Sequence, residues 1–431
     1  MSTRSSGGAK SPATGFRRLL TVVGPGIITG ASDDDPSGVS TYSVAGAAFG
    51  LNMLWLALLT TPMMAVVQGM CGRIGLVTGV GLAQNMKRHL SRWLLLPLLF
   101  AVIAANTINA GADLEGMAAS AHLVVGLPVV AYVIGFAVLL IVLQLAFSYR
   151  SIANVLKYLT FALLAYVITA FVARPDWTTV LLHLVVPHLE LTAAFLTTLM
   201  AVLGTTITPY LFFWESSLTV EEDVDAGKTS ERSRRGATKR QIADLHLDAN
   251  AGMVFSNVVM VFIIVTTAST LGAHGIHHIG TAEDAARALT PLAGRFASLV
   301  FACGMVGTGL LAIPALVGSS AFVFGEVFDL RVGLNRRVSQ APIFYAVLAV
   351  GTAIGALMGV LHVDPIGALF WAAVINGIVS VPLIAVVVLL SSRKDVMGTW
   401  VSSPVARAWG WATFASMTAA AIGIFAFWGK S

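Results

Sequence analysis

Asp33, Asp34 and Asp35 stand in a row inside an apolar stretch and are followed at once by Pro36, Ser37 and Gly38 (GPGIITGASDDDPSGVSTYS). Carboxylate oxygens are ligands for hard cations. An acid at membrane depth costs several kcal/mol unless it faces water, an ion or a partner. Pro36 removes a backbone donor and Gly38 loosens the chain, so the helix is expected to unwind here and free carbonyl oxygens for a cation. A second apolar stretch, GTTITPYLFFWESS, is interrupted by Pro209, with Thr206 and Thr208 before it and Tyr210 and Glu215 after it. A pair of ordinary proline kinks would explain the prolines but not the acids beside one of them.

The composition says what must position these groups. Of the 431 residues, 57% are hydrophobic and 11% charged, against about 25% charged in soluble domains. A soluble protein this poor in charge could not cover its surface, so the expected class is an all-α membrane protein. About 20 apolar residues cross a bilayer. On that rule eleven spans fall near 22–48, 52–72, 94–120, 126–148, 152–173, 193–219, 248–272, 294–327, 341–361, 365–391 and 406–428. Pro36 and Pro209, 173 positions apart, then each interrupt the first span of a five-span half. Two interrupted spans at matching places in two halves point to a binding site where they meet.

With the N-terminus inside, all but four of the 26 Lys and Arg residues fall on the cytoplasmic side, the four being Arg174, Arg287, Arg295 and Lys430. That bias places the N-terminus in the cytoplasm and the C-terminus outside. The net charge of +5 is accordingly read as orientation and lipid contact, with the bilayer and not nucleic acid as partner. Residues 1–18 are expected to be a disordered cytoplasmic tail. Residues 19–395 form the membrane domain, with halves at about 19–173 and 193–391, and 396–431 hold the final span and C-terminus. The long polar stretch 221–247 is expected to be a solvated cytoplasmic connector. Cys71 and Cys303 read as small core residues. Glu326 and Asp329 end span eight as interface residues. Asn106, Asn109, Asp248, Asn250 and Asn257 read as packing and capping residues. His183, His188, His274, His277 and His278 sit in outer loops, where HGIHHIG could collect a metal ion but lacks a third ligand at defined spacing.

At this point the residues resemble the NRAMP metal-ion transporters, which have the LeuT-type fold. The resemblance runs across spans one to ten. GPG with an Asp-Pro break and then AGAAFGLNMLW is similar to that family's first span and its exit; CGRIGLVTGVGLAQNMKRH is similar to the loop after span two; ADLEG and NRRVSQAP are similar to span three and the approach to span nine. The family's motifs are Asp-Pro-Gly-Asn in span one and Met-Pro-His in span six. Here Ser37 and Gly38 stand for the glycine and asparagine, and Thr208 and Tyr210 for the methionine and histidine, while Glu215 falls where a second family histidine often lies. These departures resemble the NRAMP-related magnesium transporters.

The resemblance implies inverted five-helix repeats with helices 1 and 6 unwound at mid-membrane. It implies a metal set of Asp35, Gly38, Thr205, Thr208 and Asn376, with Asp33, Asp34, Tyr210 and Glu215 around it. A methionine thioether is a soft ligand that helps retain transition metals, so Thr208 leaves an all-oxygen site and moves the expected cargo to Mg2+. Mn2+ also accepts oxygen ligands. Gly38 deletes an amide ligand and is expected to open space for a partly hydrated ion. Tyr210, with an ordinary pKa near 10, does not suit a proton route; Glu215, Asp113 and Glu115 remain candidates for one. The structural alternative pairs Asp113 or Glu115 with Arg336 or Arg337 as a gate. Uncoupled import through a bacterial inner membrane is expected, driven by about 2.3 kcal/mol per charge per 100 mV. The rivals are a proton-coupled Mn2+/Fe2+ importer, a sodium-coupled amino-acid symporter and a non-transporting receptor. Nothing resembles a hydrolase or redox site, so neither an enzyme nor a resident cofactor is expected.

Overall fold

The computed structural model describes residues 33–147, 159–361 and 364–427. Lipid offers no hydrogen bonds, so a spanning segment must satisfy its backbone within itself, as a helix. In chain order the principal helices are α1 (Pro36–Phe49), α2 (Trp55–Thr78), α3 (Leu82–His89), α4 (Arg92–Val125), α5 (Val129–Ala146), α6 (Leu164–Ala173) and α7 (Trp177–Val185). They continue with α8 (Ala193–Thr206), α9 (Pro209–Asp225), α10 (Lys239–Thr270), α11 (Ala297–Val327), α12 (Pro342–Leu361), α13 (Pro365–Ser392) and α14 (Pro404–Phe427). Among the described residues no strand occurs.

Nine helical segments among the described residues are long and apolar enough to cross a membrane, with α8 and α9 counted as one. The shorter α1 and the apolar helix Phe161–Ala173 stand where spans one and five are expected, which accounts for the expected eleven. The expected tail 1–18, the start of span one, Arg150, Lys157 and Lys430 lie outside the described residues.

Helix ends follow local chemistry. Gly79 and Gly126 end α2 and α4 in left-handed backbone (φ 72° and 76°), a conformation that costs glycine nothing. Prolines open α1, α9, α12, α13 and α14, where the missing N–H is an orphan anyway. A reciprocal cap between Thr238 and Gln241 opens α10. That cap corrects the expectation of a long loop at 221–247. The polar residues there are mostly helix ends, since α9 runs to Asp225, α10 starts at Lys239, and Glu231–Arg234 forms a turn between them.

Burial separates an interior from a lipid-facing shell. The apolar window of α8 and α9 is 94% buried, whereas α5 exposes Val130, Ile134, Val138 and Val142. The broken pair α8–α9 is therefore a central element. Small residues let it sit deep: a Cβ on Gly204 would lie 2.1 Å from the Ala373 carbonyl oxygen of α13. Without a strong hydrophobic drive between helices in lipid, such close approach supplies the packing energy.

Candidate metal site

Both breaks have the same local plan. Asp33 is helical, Asp34 lies in a bend, and Asp35 is extended (φ −66°, ψ 172°) immediately before Pro36 opens α1. Thr208 is likewise extended (φ −91°, ψ 140°) immediately before Pro209 opens α9. Asp35 caps its helix, since its Oδ1 accepts from the Gly38 N–H at 2.7 Å. Thr208 does not cap its helix. Its buried Oγ1 has no hydrogen-bond partner among the described residues.

Three further helices fix these breaks. From α4, Asn109 donates through Nδ2 to Asp35 Oδ2 at 2.9 Å and to Asp113 Oδ2 at 3.3 Å. Asp113 Oδ1 in turn accepts from the Ser37 N–H at 3.2 Å. From α13, Ser380 donates to the Ile207 carbonyl at 2.7 Å, Asn376 donates to Asn109 Oδ1 at 3.2 Å, and the Leu369 carbonyl accepts from Ser37 Oγ at 2.9 Å. One continuous helix therefore bonds to both breaks. From α10, Ser256 Oγ lies 2.8 Å from Asp33 Oδ2 and 3.0 Å from Asp34 Oδ1. A hydroxyl has one proton and can donate to only one of them.

Asp33, Asp34, Asp35 and Asp113 are all at most 3% exposed. Their partners are neutral side chains and backbone N–H groups; among the described residues none of the four pairs with Lys or Arg. They form two pairs, one bridged by Ser256 and one by Asn109, and among the described residues no group of three His, Cys, Asp or Glu is placed to hold a metal alone. Buried charge without countercharge is costly, so carboxyls in this arrangement either take up protons or are offset by a bound cation.

The structure brings together Asp35, Gly38 and Thr205: a Cβ on Gly38 would lie 3.3 Å from Thr205 Oγ1 and 3.5 Å from Asp35 Oδ1. The space expected to open at Gly38 is thus partly filled by the Thr205 hydroxyl, which puts an oxygen where the amide is missing. Asn376 joins the same cluster, with its Oδ1 lacking a partner among the described residues. Tyr210 instead packs in a buried apolar cluster with Trp214 and Phe322. Glu215 lies seven residues into α9, about 10 Å along the helix from Thr208, against Gly72 of α2.

The expected gate pairing is not what this structure contains. Asp113 is taken up by Ser37 and Asn109, and Glu115 faces Gly359 of α12, where a Cβ would lie 3.6 Å from its own. Arg336 and Arg337 are exposed in the segment before α12, Arg336 beside Glu221 and Arg337 bonded through its N–H to Gln340. Asn109 and Ser256 were the residues that sequence reasoning missed. Asn109 and Asp113 are four apart and so share a helix face, which was the available signal; nothing local marked Ser256. The outer histidines do not converge: His183 contacts a carbonyl of its own helix, His274 contacts the Thr270 carbonyl that ends α10, and His277 contacts the Ala47 carbonyl.

Comparison with known proteins places this geometry. The chain is 29% identical over 403 residues to the divalent metal cation transporter MntH of Burkholderia ambifaria, covering 90% of this chain and 84% of that one. It is 27% identical over 410 residues to MntH of Deinococcus radiodurans, covering 92% and 87%. Among solved structures it resembles the Eremococcus coleocola manganese transporter, with TM-score 0.69, 19% identity, and coverage of 96% of this chain and 88% of that one. It also resembles a transporter of the nucleobase-cation-symport-1 family, with TM-score 0.54, 13% identity and coverage of 94% and 92%. These two likenesses concern the fold, which is the LeuT-type arrangement expected from the sequence. The family described as natural resistance-associated macrophage protein-like matches residues 26–426, and the chain belongs to it: this is an integral membrane protein of the NRAMP family.

Proposed function

We propose that the chain carries divalent cations into the cytoplasm by alternating access, with Mg2+ as the preferred cargo and Mn2+ also accepted. The observation that carries this reading is the buried carboxylate of Asp35, which shares the Asn109 amide with Asp113 and faces neutral oxygens where the two helix breaks meet. Thr208 Oγ1 and Asn376 Oδ1 lack partners among the described residues, and Thr205 Oγ1 lies beside Gly38. All these donors are hard oxygens, which suit Mg2+. A thioether in place of Thr208 would favour softer ions. The relatives are divalent metal cation transporters by name, which supports the cation class. A manganese transporter of the same fold supports Mn2+ as the second reading. Family membership sets aside the amino-acid symporter.

Transport is proposed to run without tight proton coupling. Tyr210 stands at the family's histidine position and is packed among aromatic rings, and Glu215 is remote from Thr208. The membrane potential alone supplies about 4.6 kcal/mol per divalent ion at 100 mV. The test is uptake into proteoliposomes of Mg2+, Mn2+ and Ca2+ in competition, with and without a pH gradient. The reading expects Mg2+ to compete with Mn2+ at similar concentration and uptake to leave lumenal pH unchanged. Mn2+ uptake indifferent to excess Mg2+, with acidification tracking the metal, would establish the proton-coupled rival.

A further inference from the structure

Ser217, Glu221 and Asp225 are spaced by four along α9 and therefore lie on one face of the helix. Together they make hydrogen bonds to two other parts of the chain, α11 and the segment before α12. Ser217 Oγ donates to Glu326 Oε1 of α11 at 3.1 Å. Glu221 Oε2 accepts from the Leu334 N–H at 3.1 Å, and Asn335 Nδ2 donates to both carboxylate oxygens of Asp225 at 3.0 and 2.8 Å. The segment holding Leu334 and Asn335 is itself fixed, since the Tyr345 hydroxyl of α12 donates to the Arg336 carbonyl at 2.6 Å. The second oxygen of Glu326 accepts from the Gln84 N–H in the first turn of α3 at 3.0 Å. Glycine at position 81 is what admits it, because a Cβ there would lie 1.9 Å from Glu326 Oε1.

We propose that this face of α9 is a latch, and that Glu326 is its positioning residue, joining α3, α9 and α11 through one carboxylate. The inference rests on the transport reading for its purpose but not for its geometry. α9 begins at the break, with Thr208 at its head, and is continuous to Asp225. A continuous helix moves as a rod, and non-helical residues at its end absorb the rotation as a hinge. The latch grips that rod from its middle to its far end, from Ser217 at about 14 Å to Asp225 at about 25 Å from the hinge. Whether the latch is closed therefore sets where Thr208 stands relative to Asp35. Its bonds are polar and can be exchanged for water when the rod swings, unlike the close helix contacts around Gly204.

The test uses the full-length protein with Glu326→Ala, Glu326→Gln, Ser217→Ala and the Glu326→Ala/Ser217→Ala double variant. Hydrogen exchange is followed in peptides covering 81–89 and 217–225, and uptake kinetics are measured in proteoliposomes. The latch predicts that Glu326→Ala speeds exchange about ten-fold in both segments and raises KM for the metal several-fold while Vmax is kept. Glu326→Gln, which keeps an acceptor oxygen, restores most of both. Ser217→Ala moves both readouts the same way but less, because Glu326 keeps its Gln84 bond, and the double variant does not exceed Glu326→Ala because Ser217 acts through that carboxylate. Faster exchange confined to 81–89, an unchanged KM, or additive effects in the double variant would overturn the latch and leave Glu326 as a local cap of α3. If the native protein takes up no divalent cation, the transport reading fails, and the exchange measurements alone still judge the latch.

Discussion

The two helix breaks share a plan and differ in what they leave available. Each places an extended residue at the head of a proline-led helix, yet Asp35 is held by Gly38 and Asn109 while Thr208 is held by nothing among the described residues. The first break supplies charge in a fixed orientation; the second supplies a neutral oxygen with freedom to turn. The difference follows from what each helix N-terminus attracts. A carboxylate is favoured by the N-terminal backbone donors and dipole, so Asp35 is pinned where it stands. A hydroxyl gains less from them and is left for a ligand. On the proposed transport reading, affinity resides in the first break and selectivity in the second.

The largest expected effect of separating these roles comes from Asn109→Leu. It removes the donor shared by Asp35 and Asp113 and leaves two buried carboxylates short of partners, at a cost of about 2 to 3 kcal/mol. Thermal melting in detergent should fall, and excess Mg2+ should raise the melting temperature of the variant more than that of the native protein, because the ion supplies the two carboxylates with a partner. Next is Thr208→Met, which is expected to shift the ratio of Mn2+ to Mg2+ competition about ten-fold toward Mn2+ while leaving stability nearly unchanged; uptake competition measures it. An unchanged ratio would break the assignment of selectivity to the second break. Ser380→Ala frees the Ile207 carbonyl beside Thr208 and should cost about 1 kcal/mol, read as a lower melting temperature with weaker effect on Mg2+ affinity than Asn109→Leu.

A control away from both breaks is Glu231→Gln. The bidentate Arg88 guanidinium, with bonds of 2.7 and 2.8 Å, holds the Glu231 carboxyl below its ordinary value of 4.5. A depressed carboxyl contributes stability above its unfolded pKa and loses it as the pH falls through its folded value. The small melting difference between native protein and Glu231→Gln should thus hold from neutral pH down to about 5 and close below about 4. Exposed pairs contribute little, so this is the smallest effect.

Much of this was legible in the sequence because lipid restricts the options. Apolar run length marks the spans, and proline beside acid marks the first break and Asp35, while Thr208 and Asn376 enter as candidate ligands through the resemblance to the NRAMP motifs. What stayed hidden depends on contacts between distant helices. Ser256 reads as an ordinary small residue until α10 is seen to bring it against Asp33 and Asp34. Asn109 reads as a packing residue in sequence because its partner, Asp35, lies 74 positions away. The 221–247 stretch is polar without being a loop, because its acids have partners on neighbouring elements that let α9 continue to Asp225. The arginine gate failed for the same reason in reverse: Arg336 and Arg337 are in sequence terms reasonable partners for Asp113, but Asp113 is packed over the first turn of α1 and already bonded there.

The central claim is that the paired breaks bind a hard divalent cation through Asp35. Calorimetric titration of Mg2+ into the purified native protein and into Asp35→Asn tests it most directly. The account predicts saturable binding in the native protein and a loss of about 100-fold in affinity, roughly 3 kcal/mol, in the variant, with its fold intact by circular dichroism. Equal Mg2+ affinity in the two proteins would contradict it.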